Sequence, residues 1–246
     1  MTQANSQYDA WHERVSTWEQ DSSERLFAWH KTVLKLLPPI DGKEVLEVGC
    51  GRGDFSIYLA RKYPAARITG VDFSPKAIDI ARTRCDERLT NLCFETGDAE
   101  SLRFSSETFD FVISCECLEH VLHPETMAAE ISRVLKPRGQ FILTTPNHLN
   151  GMMLSWLKSW ATKTPFDSGW GAQPHENFFL YWRVKSLLQA GGLAVEHMES
   201  SHFQWLLLPR TAPHKLCTED FNSGFWKRVF RPFGVHFTFQ GSKRVK

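Results

Sequence analysis

Five short apolar runs alternate with amphipathic stretches between Glu44 and Thr145, and no other feature of the chain narrows its fold as much. Residues 44–48 read as a buried strand entering a glycine turn, and 55–63 as the helix that follows. A second strand spans 67–72, and the next helix, 75–88, has Ser74 placed to cap it and Pro75 at its first position. Strands at 92–95 and 109–114 come next, then a helix at 124–135 closed by Lys136-Pro137-Arg138-Gly139, then a fifth strand at 140–145. Strand–helix alternation of this kind implies a parallel, doubly wound sheet with its ligand site at the strands' carboxyl ends.

Outside that block the pattern differs. Residues 9–37 follow a helical rhythm through Trp11, Val15, Trp18, Leu26, Trp29, Val33 and Leu37, and Pro38-Pro39 stops it. After Thr145 the rhythm breaks into an irregular stretch, 147–180, rich in Trp, Phe, Met and Gly. A helix resumes at 182–190 and ends at Gly191-Gly192; strands follow at 193–199 and 236–241, with an irregular insertion at 202–234. The expected organisation is an N-terminal helical lid segment (1–40), an α/β core (41–146 and 182–246) and an aromatic-rich cap insertion (147–181). The fold class is α/β: a mostly parallel, doubly wound, Rossmann-like sheet of seven strands with a helical and irregular cap.

The formal net charge of +1 gives no reason to expect a nucleic-acid partner. None of the six cysteines forms a C-x-x-C pair and no histidines stand at zinc spacing, so no metal is expected. The N-terminus lacks an apolar signal core, and no apolar run is long enough to span a bilayer. A reduced, soluble, cytoplasmic protein is the expectation; nothing in the sequence sets an oligomeric state.

The densest chemical signal is Glu47-Val48-Gly49-Cys50-Gly51-Arg52-Gly53, after a strand and before a helix. Glycines let the backbone turn tightly and approach a ligand with no Cβ in the way. Asp72 ends the next strand, where a carboxylate can bind both ribose hydroxyls of an adenosine. A nicotinamide dinucleotide is the rival ligand. Its fingerprint is G-x-G-x-x-G, whereas the spacing here is G-x-G-x-G. Asp54, at the helix start, would also repel a pyrophosphate from the positive helix end. An adenosine that bears a cationic sulfonium and no phosphate meets no such conflict. The plain alternative is a tight strand–helix turn without a ligand, which leaves Asp72 unaccounted for.

These residues resemble the class I S-adenosylmethionine-dependent methyltransferases, and the match continues in order. "VLEVGCGRG" is similar to the family's first motif and "GVDFSP" to its acidic second-strand motif; "GDAESL", "FDFVISCECLEHV" and "LKPRGQFILTTPN" follow. The wording is closest to the methyltransferases of quinone biosynthesis and their small-molecule relatives. The resemblance implies S-adenosyl-L-methionine as cofactor, with Asp72 on the ribose, Phe73 beside it, Asp98 and Ala99 at the adenine, Cys115 lining the cofactor, and Glu47, Gly49, Gly51 and Gly53 around its methionine end. It covers about residues 42–147 and does not choose a substrate. Glu119 and His120 are read as structural. Glu116 and Glu125 do not match the paired glutamates of arginine methyltransferases, and Ser114-Cys115-Glu116-Cys117 stands where base-amino methyltransferases carry a proline motif.

The expected activity is methyl transfer to a small-molecule acceptor, apolar or aromatic, at a hydroxyl. N- or C-methylation, an RNA or protein acceptor, and a non-catalytic S-adenosylmethionine-binding module are the alternatives. Such a site must hold the acceptor in line with the methyl carbon and dry; a base is optional. Trp156, Trp160, Phe166, Trp170, Phe178 and Phe179 are candidates for an apolar lid over the acceptor, and equally for cap packing. Pro174-His175-Glu176-Asn177 is a dense polar cluster in that stretch, so His175 is the candidate base, with Glu176 or another carboxylate to orient it; His148 and His202 are further candidates. Each could instead hydrogen-bond a loop carbonyl. Aromatic and basic residues interleave from Phe225 to Phe233, which fits either peripheral membrane contact or, preferred here, a packed helix with solvated Lys and Arg.

Overall fold

A computed structural model describes residues 3–16, 26–149, 157, 159–164, 174–203, 225 and 231–244. In chain order the elements are α1 (Gln3–Ser16), α2 (Ala28–Leu36), β1 (Glu44–Val48), α3 (Asp54–Lys62), β2 (Arg67–Asp72), α4 (Pro75–Arg84), β3 (Leu92–Thr96), β4 (Phe109–Cys115), α5 (Pro124–Val134), β5 (Leu135–Pro146), α6 (Tyr181–Ala190), β6 (Leu193–Phe203) and β7 (Gly234–Lys243). Short 3-10 turns occupy Leu118–His120 and Arg231–Phe233. The strands form one seven-stranded sheet in the order β3-β2-β1-β4-β5-β7-β6. The first five are parallel, and β7 runs antiparallel to both β5 and β6. The seven strands and the mostly parallel pairing are those the sequence predicts.

Alternation along β1 sets the two layers. Val45 joins a core with Val33 and Leu37, Phe55 and Leu59, and Ile113. Leu46 and Val48 face the opposite core, built from Met127 and Ile131 of α5, Val184 and Leu188 of α6, and Phe237 and Phe239 of β7. The strand period of two thus sandwiches the sheet between helices, as a near-continuous apolar run requires. The order changes direction between β1 and β4, which pair from Val45–Phe111 to Val48–Ser114. The crevice beyond their carboxyl ends is where such a sheet takes a ligand.

Ser74 caps α4 by accepting the Ala77 N–H at 3.1 Å, with Pro75 in the first turn, as the sequence indicates. The N-terminal region departs from the expectation of one helix over 9–37. α1 begins at Gln3, and its described residues end at Ser16; α2 starts at Ala28. They pack on different partners: α1 on α4, and α2 on β5, β6 and β7. The strands flanking the insertion are longer than the apolar runs that mark them, because β6 and β7 pair from Leu193–Lys243 out to Phe203–Gly234. Residues 150–156, 158, 165–173, 204–224 and 226–230, with Trp156, Phe166 and Trp170 of the expected lid, lie outside the described residues. Much of the basic-aromatic stretch lies there too.

One glycine holds β7 in its slot. A Cβ on Gly241 would stand 1.7 Å from the Ala194 carbonyl oxygen of β6, beside an irregularity in register between Val195 and His197. Gly241→Ala must push two paired strands apart and should destabilise the fold by about 2–3 kcal/mol. A urea titration would show it as a lowered midpoint; an unchanged midpoint would mean that β6 and β7 are not so closely apposed.

Candidate functional site

The turn after β1 is fixed by backbone geometry and by two side chains. Gly49, Gly51 and Gly53 have φ of 77°, 54° and 79°, the left-handed region that favours glycine. A Cβ on Gly49 would meet Cys117 Sγ at 2.5 Å and one on Gly53 the Phe94 ring at 2.6 Å, whereas above Gly51 nothing lies within 4 Å. Two glycines are therefore required by packing, and the third leaves an open face. The Asp72 carboxylate accepts the Gly51 N–H at 2.8 Å and the Ser74 N–H at 2.9 Å. Each oxygen retains a lone pair for a further donor. An open glycine face beside a pre-oriented carboxylate fits an adenosine with its ribose hydroxyls.

Asp54 behaves differently from the expectation. Arg84, from the last turn of α4, pairs with it at 2.5 Å and also donates to the Arg52 carbonyl at 3.1 Å. Its charge is offset, so its repulsion of a phosphate is weaker than the sequence implies; the glycine spacing is the part of that argument that stands.

The other expected cofactor residues lie around the same crevice. Glu47 shares the Val45 face of β1 and is 2% exposed, with the Ser56 hydroxyl of α3 donating to it. Burial pushes its carboxyl up to about 8. Phe73 follows Asp72 and meets the edge of Tyr8 from α1, ring centroids 6.2 Å apart. Asp98 is exposed and uses Oδ1 to accept the Glu100 N–H at 2.8 Å, so it shapes the turn after β3; Ala99 beside it is buried. Cys115 ends β4, buried against Thr144, and burial raises its thiol far above the ordinary range. α1 crosses this rim. Asp9 accepts from Ser74 Oγ and Lys76 N–H, and Tyr8 Oη donates to the His120 carbonyl at 3.1 Å.

Beyond β4 and β5 the crevice becomes polar. Glu116 leaves β4 at φ 51°, donates its N–H to the Thr144 carbonyl at 3.1 Å, and accepts from Thr144 Oγ1 at 2.7 Å. Its other oxygen lies 2.8 Å from His236 Nδ1 of β7. Burial works against its charge, but His236 and Thr144 outweigh that and hold the carboxyl below its usual value. Glu119, three residues on, accepts from Thr145 Oγ1 at 3.0 Å. Burial, reinforced by Glu116, pushes it well above the carboxylate range. Two neighbouring carboxyls shifted in opposite directions are a common mark of a chemical site. The sequence reading set Glu116 aside and did not reach His236, since 120 residues separate them.

Two of the expected bases, His148 and His175, lie among the described residues. His148 is fully buried; its Nδ1 accepts the Phe179 N–H at 3.0 Å, and its ring stacks on Phe178 at 4.8 Å. Both contacts tie the ring to residues 178–179. Glu176 comes to 3.8 Å from His148 Nε2. The His175 carbonyl accepts from His120 Nδ1 at 2.7 Å, while its own Nε2 is buried with no hydrogen-bond partner among the described residues. Asn177 completes the docking, donating its N–H to the Glu119 carbonyl at 2.6 Å and its Nδ2 to the Val121 carbonyl at 2.7 Å. Trp160 is 74% exposed and so does not close a pocket within the described residues; the His202 side chain lies outside them.

Glu47 yields a pH test. An unfolded glutamate releases its proton near 4.5 and the folded one near 8, so between these values the unfolded chain holds fewer protons and stability falls as pH rises. Glu47→Gln lacks that loss. Its thermal stability relative to wild type should improve from about pH 5 to pH 8, by about 1–3 kcal/mol. Parallel melting curves would contradict a neutral Glu47.

Residues 45–139 match a family described as a methyltransferase domain. A phthiotriol/phenolphthiotriol dimycocerosates methyltransferase of Mycobacterium tuberculosis is 39% identical over 113 residues, 46% of this chain and 40% of that protein. A ubiquinone biosynthesis O-methyltransferase of Coxiella burnetii is 36% identical over 108 residues, 44% of this chain and 45% of that protein. The chain thus spans less than half the length of these curated relatives. Among solved structures, a methyltransferase in complex with the Trm112 methyltransferase activator of Haloferax volcanii superposes with a TM-score of 0.68 at 23% identity, covering 99% of this chain and 98% of that one. That likeness shows the fold. The family and the fold use S-adenosylmethionine as methyl donor. The glycine turn and Asp72 thus fall within the stretch that matches a methyltransferase domain, in a chain with the fold of S-adenosylmethionine-dependent methyltransferases.

Proposed function

We propose that the chain transfers the methyl group of S-adenosyl-L-methionine to a hydroxyl of a small, apolar or aromatic acceptor. The observation that carries this reading is the open face of Gly51 beside the Asp72 carboxylate, at the point where the sheet order turns. Asp72 would hold the ribose, and the turn amides with Glu47 the methionine end. The cofactor supplies an already activated methyl carbon; the protein's part is to hold the acceptor in line and keep water out. α1 is well placed to act as a lid, because it is tied both to the α4 corner and to the exit of β4. Oxygen as the acceptor atom is supported by the polar pocket beyond β4 and by the printed name of the Coxiella relative. The formal net charge of +1 supports a small acceptor over RNA. Among the described residues no helix is long and apolar enough to cross a membrane, and we take the cytoplasm as the working compartment.

Calorimetry with S-adenosylhomocysteine tests the cofactor half. Asp72→Ala removes the ribose acceptor and frees the Gly51 N–H, so binding should weaken about 10- to 100-fold. Undiminished affinity in a folded variant would remove Asp72 from the site.

A further inference from the structure

We propose, on the methyl-transfer reading above, that Tyr8 of α1 is a positioning residue that couples the two sides of the site: through it, a bound methyl donor holds residues 174–179 docked over the acceptor side. The observation behind this is how the turn after β4 uses its carbonyls. A single 3-10 turn leaves its last carbonyls without partners inside the turn. After Leu118, three successive carbonyls are taken from outside. The Glu119 carbonyl accepts the Asn177 N–H at 2.6 Å, the His120 carbonyl accepts Tyr8 Oη at 3.1 Å, and the Val121 carbonyl accepts Asn177 Nδ2 at 2.7 Å. The His120 ring then donates through Nδ1 to the His175 carbonyl at 2.7 Å. The peptide unit that grips α1 thus lies between the two that grip the cap.

The turn itself is stiff. Leu118 is fully buried, Glu119 is 1% exposed and accepts from Thr145 Oγ1, and the His120 N–H closes on the Cys117 carbonyl at 2.9 Å. Planar peptide units joined at one Cα cannot turn independently, so a displacement of the His120 carbonyl is felt by both neighbours. The other end of the route reaches the cofactor side. The Tyr8 ring meets the edge of Phe73, the residue after Asp72. Asp9, next to Tyr8, accepts from Ser74 Oγ and from the Lys76 N–H, and the Ser74 N–H is held by Asp72 at 2.9 Å. Burial, with Cys117, Asp72 and Glu119 nearby, keeps the Tyr8 phenol protonated, so its hydroxyl stays a donor. A ribose on Asp72 therefore bears on the same corner that anchors α1.

The consequence is an order of events. With the donor bound, α1 is held at the corner, Tyr8 fixes the turn, and the turn fixes the cap through Asn177 and His175. The cap then closes over a loaded site, which keeps water from the methyl carbon and favours binding of the donor before the acceptor. A tie that only braces α1 and the cap would give the same contacts, but the cap would then not respond to a ligand at Asp72.

Hydrogen exchange of the full chain, with and without S-adenosylhomocysteine, tests the route. In wild type the ligand should slow exchange of the Asn177 and Phe179 amides, both bonded in the docked cap, about 10-fold. By linkage, the form with the cap open binds S-adenosylhomocysteine more weakly by the same factor. Tyr8→Phe keeps the ring against Phe73 and removes only the hydroxyl. In that variant the ligand-dependent slowing should fall below about 2-fold, while calorimetric affinity for S-adenosylhomocysteine stays within about 5-fold of wild type and shows that the chain is folded. Asp9→Ala cuts the other end of the tie and should give the same loss. A passive brace would speed exchange at the cap equally with and without ligand; an unchanged ratio in either variant overturns the coupling. Wild type that binds S-adenosylhomocysteine with no slowing at Asn177 and Phe179 overturns it too and leaves the methyl-donor site standing. Wild type that does not bind S-adenosylhomocysteine removes the reading beneath it.

Discussion

Two amide protons shared by one carboxylate organise the cofactor side of this molecule. Asp72 accepts from Gly51 in the turn after β1 and from Ser74 at the cap of α4, so two strand–helix corners are locked to each other through a single side chain. Ser74 in turn caps α4 and donates to Asp9, which carries the tie on to α1. Arg84 closes the ring from behind through Arg52 and Asp54. The turn is thus shaped before any ligand arrives, and preorganisation of this kind lowers the ordering cost of binding.

The two ends of the crevice use burial in opposite ways. Glu47, on the inner face of β1, has one hydroxyl partner and no paired cation in its surroundings strong enough to keep it charged, and it sits as a neutral acid. Glu116, largely but less completely buried, has a histidine and a threonine that hold its carboxyl below the usual value. Burial raises both carboxyls; the partners decide the net sign. That division leaves the negative charge at the polar end of the crevice and on Asp72.

What the sequence makes legible is what local chemistry writes into it. The glycine turn, the Ser74 cap with Pro75, and the alternating faces of β1 all depend on neighbours within a few residues, and the strand count and parallel order follow from the same rhythm. The acceptor side is written non-locally. Glu116 meets His236 only because β7 folds back beside β5, and Glu176 reaches His148, 28 residues earlier in the chain. The repulsion assigned to Asp54 is weakened for the same reason: Arg84 lies 30 residues away, across α3, β2 and the length of α4. Side chains whose roles depend on long-range pairing do not announce those roles in their own stretch of sequence.

The position of β7 bears on the order in which the molecule can assemble. β7 is the last of the described strands, yet it lies between β5 and β6. During synthesis β6 emerges with no partner, and β5 presents an open edge, until the residues after Gly234 arrive. Exposed edges of that kind are templates for pairing with other chains. The same insertion that seals both edges delivers His236 to Glu116, so the polar end of the crevice comes into being only when the sheet is complete. A nascent or nicked chain can hold a finished glycine turn and still lack this pair.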